Sequence, residues 1–126
     1  MTEPGNINLI VHPDRPGLEK FLGKLEAELM EIIWANDPMT VKRVLYFINK
    51  NHKYAYTTVM TVMARLVEKG LLSRQKEGHS FVYSPLFTKK EFLQAAIRGI
   101  MSSLVADFNA ITVKEFHRAR KTPKKP

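Results

Sequence analysis

Apolar residues recur at helical spacing in three consecutive stretches of the first half of the chain. The first stretch predicts an amphipathic helix over residues 24–36, because its apolar residues lie three or four positions apart and glutamates occupy positions between them. These apolar residues are Leu25, Leu29, Ile32 and Ile33. The sequence Asn36-Asp37-Pro38 ends this helix, since proline cannot continue it.

Two shorter stretches repeat the pattern. Thr40 is a suitable N-cap for a second helix, which ends near Asn51. After a polar turn over residues 49–53, a third helix is predicted from Thr57 to Lys69, with Gly70 as its terminating residue. The apolar positions of the two helices are Val41, Val44, Leu45 and Ile48, then Val59, Val62, Met63 and Leu66.

The pattern changes from helix to strand after Gly70. Residues 72–76 and 80–84 flank Glu77-Gly78-His79, and the β-branched and aromatic residues of the second arm favour a β-hairpin, which Pro85 closes. Three helices followed by a hairpin predict a mainly α fold with a small β-hairpin (α+β), namely a winged helix-turn-helix domain.

Two later segments begin with the capping box T-x-x-E, at Thr88-Glu91 and at Thr112-Glu115, and predict two more helices. The first of these carries an apolar stripe that is too large for a small domain to leave in water. The stripe consists of Leu93, Ala96, Ile97, Ile100, Met101, Leu104 and Phe108. A second copy of the chain would cover it in a symmetric homodimer. The alternative is that this helix packs back on its own domain.

These elements divide the chain into four parts. A flexible N-terminal extension is expected over residues 1–21, a winged-helix DNA-binding domain over 22–86, a helical dimerisation region over 87–120 and a basic tail over 121–126.

Charge separates the acidic N-terminal third of the chain from the rest. Residues 1–37 hold three Lys or Arg against seven acids, residues 38–86 hold eight against two, and residues 87–126 hold nine against three. A basic winged domain suits double-stranded DNA, whose phosphates provide most non-specific affinity. The same charge would suit an acidic protein. A winged-helix protein-interaction module with an acidic partner is therefore the alternative function.

The third predicted helix supplies the candidates for contacts with base edges, which are Thr57, Thr58, Thr61 and Arg65. A threonine hydroxyl can donate or accept a hydrogen bond and its methyl can contact thymine, whereas arginine offers a bidentate fork. Thr58 and Thr61 are the preferred candidates. Arg65 lies near the middle of the helix, where it could instead pair with a neighbouring acid or a phosphate.

Six further residues are candidates for contacts with the DNA backbone. They are Lys42 and Arg43 at the start of the second helix, Tyr56 before the third, and Arg74, Lys76 and His79 on or near the hairpin. Lysine and arginine at a helix N-terminus can hold a phosphate beside free backbone amides, although a solvated surface is an equally good interpretation of Lys42 and Arg43. A two-stranded ribbon can reach the neighbouring backbone or minor groove.

Other classes of protein lack support in the sequence. The chain has no cysteine and its four histidines are scattered, so no metal or cofactor is expected. No nucleophile elbow, Gly-rich phosphate loop or paired-carboxylate motif indicates an enzyme. The N-terminus lacks the features of a secretion signal, and no apolar run approaches the roughly 20 residues of a membrane span, so a cytoplasmic protein without a membrane partner is expected.

Three quoted segments carry a resemblance to a known family. LGKLEAELMEIIW, TVKRVL and AYTTVMTVMARLVEKGLLSRQKEGHSFVYSPL resemble the penicillinase-repressor family of bacterial regulators, of the BlaI, MecI and CopY type, over about residues 22–108. The resemblance implies a dimeric winged-helix repressor of operator dyads, with a C-terminal helical arm making the dimer. It places Thr57, Thr58, Thr61 and Arg65 on the recognition helix, and it implies an inducing protease or sensor as a further partner.

The chain departs from that family in two places. The cysteine cluster of the copper-responsive members is missing, and the segment Ala106-Asp107-Phe108-Asn109 has Asp where the cleaved Asn-Phe bond of the β-lactam-responsive members would have Asn. Induction by cleavage at that bond is therefore not expected.

Overall fold

The computed structural model describes residues 9–121, and it confirms the predicted order of three helices, a hairpin and a C-terminal helical region. A 3-10 helix (Gly17–Lys20) precedes α1 (Lys24–Asn36), β1 (Met39–Thr40), α2 (Val41–Ile48), α3 (Tyr56–Glu68), β2 (Leu72–Glu77), β3 (Ser80–Pro85) and α4 (Lys89–Lys121). Helix α2 ends three residues earlier than predicted, and α1 has the predicted bounds.

The three helices α1 to α3 and the sheet enclose one apolar core. The predicted apolar positions Leu29, Ile33, Val44, Val59 and Met63 are all fully buried. Their 3.6-residue spacing gives each helix a single apolar stripe, and the three stripes meet in the centre of the domain.

Gly70 ends α3 in the way that the sequence predicts. Its φ is +84°, and its amide donates to the Val67 carbonyl at 3.1 Å, while the Leu71 amide donates to the Leu66 carbonyl at 3.0 Å. These two hydrogen bonds make a Schellman motif, and the buried side chains of Leu66 and Leu71 accompany it. The chain therefore turns from the helix directly into β2.

The hairpin belongs to a three-stranded antiparallel sheet of order β1-β3-β2. Strand β1 contains only two residues, of which Met39 lies opposite Tyr83 of β3, and both side chains are buried. The sequence does not predict this strand, because two residues are too few to display an alternating pattern. The turn of the hairpin has φ +63° at Gly78, which glycine adopts without strain.

The expectation of a flexible extension over residues 1–21 is wrong for its last part. The His12 backbone amide donates a hydrogen bond to the Lys20 carbonyl at 2.7 Å. Lys20 is the last residue of the 3-10 helix. Phe21 is buried, and its ring meets Phe92 edge to face at a centroid distance of 6.3 Å. Phe21 and the neighbouring Leu22 are both buried in the core, and this burial anchors the end of the N-terminal segment. Residues 1–8 lie outside the described part.

The start of α4 is attached to the winged domain. Phe92 and Ala96 are buried, the Phe92 ring lies 5.9 Å from that of Trp34, and the Trp34 Nε1 donates to the Phe87 carbonyl at 3.0 Å. The predicted domain boundary at residue 86 is therefore too early, since the core continues into the first two turns of this helix. The sequence pattern misses Phe92 because it lies beside the predicted stripe.

Helix α4 consists of two helical segments that meet at a kink at Phe108, so the two predicted C-terminal helices are present, with the break earlier than predicted. The capping box at Thr88 and Glu91 forms as expected, with both reciprocal hydrogen bonds present at 2.8 and 3.1 Å. The second start, at Thr112, is wrong. The Thr112 hydroxyl donates to the Leu104 carbonyl at 3.1 Å instead of accepting an amide, and the bend falls earlier, at Phe108 (φ −138°, ψ 43°).

Beyond its second turn, α4 exposes most of its apolar side chains. Of the six residues proposed for the dimer, Leu93, Ile100 and Met101 are half-buried, while Ile97, Leu104 and Phe108 are exposed, with 51% of the Ile97 and 57% of the Phe108 surface accessible. The helix therefore carries an apolar surface that its own domain leaves uncovered.

By length and composition alone, α4 could also cross a membrane. Its most apolar 18-residue window has a mean hydropathy of 1.2 and is 6% buried. The expectation that no uninterrupted apolar run approaches a membrane span still holds, because charged residues divide this stretch. These residues are Arg98 and Asp107.

Candidate nucleic-acid interface

The turn between α2 and α3 is closed by one side chain. The Asn49 amide donates to the Tyr54 carbonyl at 3.0 Å, and the Asn49 amide oxygen accepts from the Tyr54 backbone amide at 2.8 Å. This pair of bonds ties the end of α2 to the residue two positions before α3 begins. The N-terminus of α3 is therefore held in a defined position relative to α2.

Helix α3 presents its first turns to solvent on one side. Thr57, Thr58 and Thr61 are exposed, as the sequence predicts, because they lie opposite the buried Val59, Val62, Met63 and Leu66. Met60 is also exposed, at 41%, and is a base-contact candidate that the sequence interpretation missed. An apolar residue such as methionine is normally assigned to the buried side of an amphipathic helix. The structure instead places Met60 on the exposed side of α3.

Thr61 has a restricted hydrogen-bonding capacity. Its hydroxyl donates to the Thr57 carbonyl at 2.8 Å, within the helix. The single hydroxyl proton is therefore in use, and the oxygen remains available only as an acceptor. In this rotamer Thr61 can accept from an adenine or cytosine amino group but cannot donate to a phosphate.

Arg65 lies further from the start of α3 and close to a buried acid. It is exposed, yet its charge is near enough to help lower the pKa of Glu26 on α1. Burial raises the pKa of Glu26, and the Lys69 ammonium, the Gly23 amide and the charges of Lys69 and Arg65 more than offset this rise. The charge of Arg65 thus acts on a neighbouring acid, while its contact with a base edge stays a prediction.

Lys42 and Arg43 are exposed on the first turn of α2, but the backbone beside them is partly occupied. The Arg43 amide donates to the Thr40 hydroxyl oxygen at 3.2 Å, which makes Thr40 the predicted N-cap. That amide is not free for a phosphate, so a phosphate held there would depend more on the two side chains. The Arg43 guanidinium lies 5.3 Å from the centre of the Phe47 ring.

The hairpin, or wing, projects its basic residues into solvent. Arg74 and Lys76 are exposed on β2, and His79 lies in the turn. The Arg74 guanidinium lies 4.8 Å from the centre of the Phe81 ring, on the neighbouring strand. Both side chains are exposed, so the wing presents a cation together with an apolar ring.

The two tyrosines near α3 differ in exposure. Tyr56 is the first residue of the helix and is exposed, whereas Tyr54 is half-buried, with its ring 5.1 Å from that of His52. This difference leaves Tyr56, the tyrosine that the sequence analysis selects, accessible for a backbone contact. Within residues 9–121, no group of three or more His, Cys, Asp or Glu side chains could hold a metal ion.

A helix-turn-helix with an exposed polar first turn, followed by a basic β-hairpin, defines a winged-helix DNA-binding protein. The sequence matches the family model for the penicillinase repressor over residues 22–125. The chain belongs to the penicillinase repressor family and is a DNA-binding transcriptional repressor. This confirms the resemblance and the fold class that the sequence predicts.

Individual relatives agree with this assignment. The penicillinase repressor of Bacillus licheniformis is 30% identical over 91 residues, which cover 66% of this chain and 71% of that protein. The transcriptional regulator BlaI of Mycobacterium tuberculosis is 33% identical over 86 residues, which cover 68% of this chain and 59% of that protein. The solution structure of the DNA binding domain of the repressor BlaI superposes with a TM-score of 0.51 at 30% identity, covering 56% of this chain and 85% of that one.

Proposed function

We propose that the protein represses transcription as a homodimer that binds an operator dyad, with one α3 helix in each of two successive major grooves. The observation that carries this proposal is the exposed threonine face on the first turns of α3. The two hydrogen bonds between Asn49 and the Tyr54 backbone hold the start of this helix in place. In helix-turn-helix dimers the half-sites lie about one helical turn apart, so a two-fold protein meets a two-fold site.

The contacts divide into two kinds. Thr57, Thr58 and Thr61 face the base edges, and Met60 adds an apolar contact to a thymine methyl. The side chains of Lys42, Arg43, Tyr56, Arg74, Lys76 and His79 contact the sugar-phosphate backbone, and this fixes the register without reading sequence. Arg65 is placed with the second group, because it lies about two and a half helical turns after the first residue of α3.

The dimer is formed by the apolar surface of α4. Ile97, Leu104 and Phe108 are exposed on the domain that bears them, and a second copy related by two-fold symmetry would cover the same residues on both chains. We favour this use over a membrane because Arg98 and Asp107 lie within the helix. Charges of this kind are costly in a bilayer and are tolerated at the edge of a protein interface.

The remaining properties follow from the family. Its members are transcriptional repressors and not enzymes. We therefore propose a cytoplasmic protein that has no catalytic activity and needs no cofactor, and whose release from DNA depends on a separate sensor or protease.

The test of base reading is Thr61→Ala, with binding measured on a duplex that the purified protein selects from random DNA and on a random duplex of equal length. We expect a loss of about 1–3 kcal/mol on the selected duplex alone, because the acceptor and the methyl are removed. Thr61→Ser keeps the acceptor and is the matched control. An equal loss on both duplexes would remove Thr61 from the base contacts.

A further inference from the structure

Helix α2 carries a surface in which cations lie on aromatic rings. The Lys50 Nζ lies 4.9 Å from the centre of the Phe47 ring and 5.3 Å from that of Tyr46, and the Arg43 guanidinium lies 5.3 Å from Phe47. We call Arg43, Tyr46, Phe47 and Lys50 the α2 patch. Tyr46 is 63% exposed, so the patch is an outer surface and not part of the core.

Arg43 and Lys50 differ from the basic residues that pair with glutamates, and they share their ring contacts with Arg74 on the wing. Lys69 and Lys89 each pair with a glutamate at 2.8 Å, and Arg118 pairs with Glu115 at 3.5 Å. In the described part of the chain, no carboxylate makes an ion pair with Arg43 or Lys50. A carboxylate partner cancels the field of a cation, whereas a ring orients the cation and leaves its charge available.

The patch lies beside the start of the recognition helix α3. Lys50 follows Asn49, whose side chain is bonded to the backbone of Tyr54, and α3 begins at Tyr56. A depression of 420 Å³ on the same face is lined by Lys42, Leu45, Tyr46, Asn49 and Lys50. Arg43 on α2 and Lys50 just after its end both lie against the Phe47 ring, so the two charges are close together. Two neighbouring cations of this kind suit the phosphates of one DNA strand.

We propose that the α2 patch holds the phosphates of the DNA strand that borders the groove entered by α3. This inference rests on the proposed function, and it adds Lys50 as a phosphate contact and Tyr46 and Phe47 as positioning residues. A cation that is already oriented loses less side-chain freedom on binding, so the contact strengthens without any neighbouring acid to displace. The contact carries no sequence information.

The experiment compares Lys50→Ala with Lys90→Ala, in the full chain, on a random-sequence duplex over a range of salt concentrations. Both substitutions remove one exposed charge, but Lys90 lies on α4 and has no ring contact among the described residues. We expect Lys50→Ala to weaken binding about three- to tenfold and to lower the slope of log affinity against log salt by about 0.9. Lys90→Ala leaves that slope unchanged.

Two outcomes separate the failure of this inference from the failure of the proposed function. If the unsubstituted chain does not bind duplex DNA at low salt, the proposed function is wrong. If it binds and Lys50→Ala behaves as Lys90→Ala does, the patch does not contact phosphate and is instead a surface for an acidic protein, which overturns the inference.

The role of the ring is tested separately at Tyr46, whose exposure makes substitution compatible with folding. Tyr46→Phe keeps the ring and is expected to bind as the unsubstituted protein does. Tyr46→Leu removes the ring and is expected to reduce affinity on random and selected duplexes by the same factor. Unchanged binding by Tyr46→Leu would overturn the positioning role, and so would an equal loss in Tyr46→Phe, which would assign the contact to the hydroxyl.

Discussion

Glu26 shows how a single side chain joins two helices of the DNA-binding domain. It is 4% exposed, it accepts from the Gly23 amide at 2.8 Å, and both its oxygens accept from the Lys69 ammonium, at 3.0 and 2.8 Å. It therefore caps the start of α1 and at the same time holds the end of α3. By sequence alone Glu26 is one of several glutamates on the polar side of α1, and its long-range partner is 43 residues away.

Glu26→Gln is expected to destabilise the protein by about 1–3 kcal/mol, because it leaves the Lys69 ammonium without its counterion in a mostly buried position. Urea denaturation should show a lower midpoint with an unchanged slope. Glu31→Gln is the matched control. Its pair with Lys89 has side chains that are about half exposed, so the loss should stay below about 1 kcal/mol. Equal effects of the two substitutions would contradict the role given to Glu26.

The lowered pKa of Glu26 gives this contribution a defined pH dependence. Its pKa in the folded protein lies below the usual value of 4.5, so the carboxylate form is favoured by folding. The stabilisation is therefore complete above that value and is lost as the pH falls through the folded-state pKa. The difference in unfolding free energy between the unsubstituted protein and Glu26→Gln should shrink on acidification below about pH 4.5. A difference that grows on acidification would be inconsistent with a lowered pKa.

The junction between α3 and β2 depends on backbone geometry that the sequence indicates directly. Gly70 has φ +84°, where an added Cβ would meet no atom within 4 Å, so the cost of a substitution there is purely conformational. We expect Gly70→Ala to destabilise the protein by about 1–2 kcal/mol.

Gly99→Ala is the matched control for that prediction. Gly99 lies inside α4, it also has no neighbour within 4 Å of an added Cβ, and its φ is not positive. Alanine favours helix over glycine, so this substitution should stabilise the protein by up to about 1 kcal/mol. Thermal unfolding of the two variants should therefore shift in opposite directions, and a destabilised Gly99→Ala would contradict the helical assignment there.

For the whole molecule, the open question is the partner of the exposed α4 surface, and a point substitution tests it better than a truncation. Removing the chain after Leu86 would also delete Phe92, which is part of the core. Leu104→Lys places a charge on the exposed stripe and should leave the winged domain folded. We expect it to sediment as a monomer at micromolar concentration, where the unsubstituted chain is expected to sediment as a dimer.

Ser102→Lys provides the control for the dimer experiment. Ser102 is exposed on the same helix, about 160° around the helix axis from Leu104. Ser102→Lys should therefore leave the dimer intact. Dissociation by both substitutions, or a monomeric unsubstituted chain, would contradict the proposed interface. Association of the unsubstituted chain with lipid vesicles in a flotation assay would instead favour the use of α4 as a membrane segment.

Local patterns were sufficient for the winged domain itself. The bounds of α1, the cap at Thr40, the glycine at the end of α3 and the hairpin turn all depend on neighbours within about four residues, and periodicity reports such interactions. The exposed threonines of α3 followed from the same periodicity. The family resemblance rested on these same segments, and so it was visible before the fold was known.

Contacts between distant segments were needed for the rest. The two-residue strand β1 exists because it pairs with β3, Phe21 and Phe92 are buried because they meet each other, and Glu26 finds Lys69 across the domain. The hydroxyl donation that limits Thr61 and the rings that hold Lys50 depend on rotamers that no spacing encodes. Periodicity records which side of an element is apolar, whereas packing in three dimensions determines what that side meets.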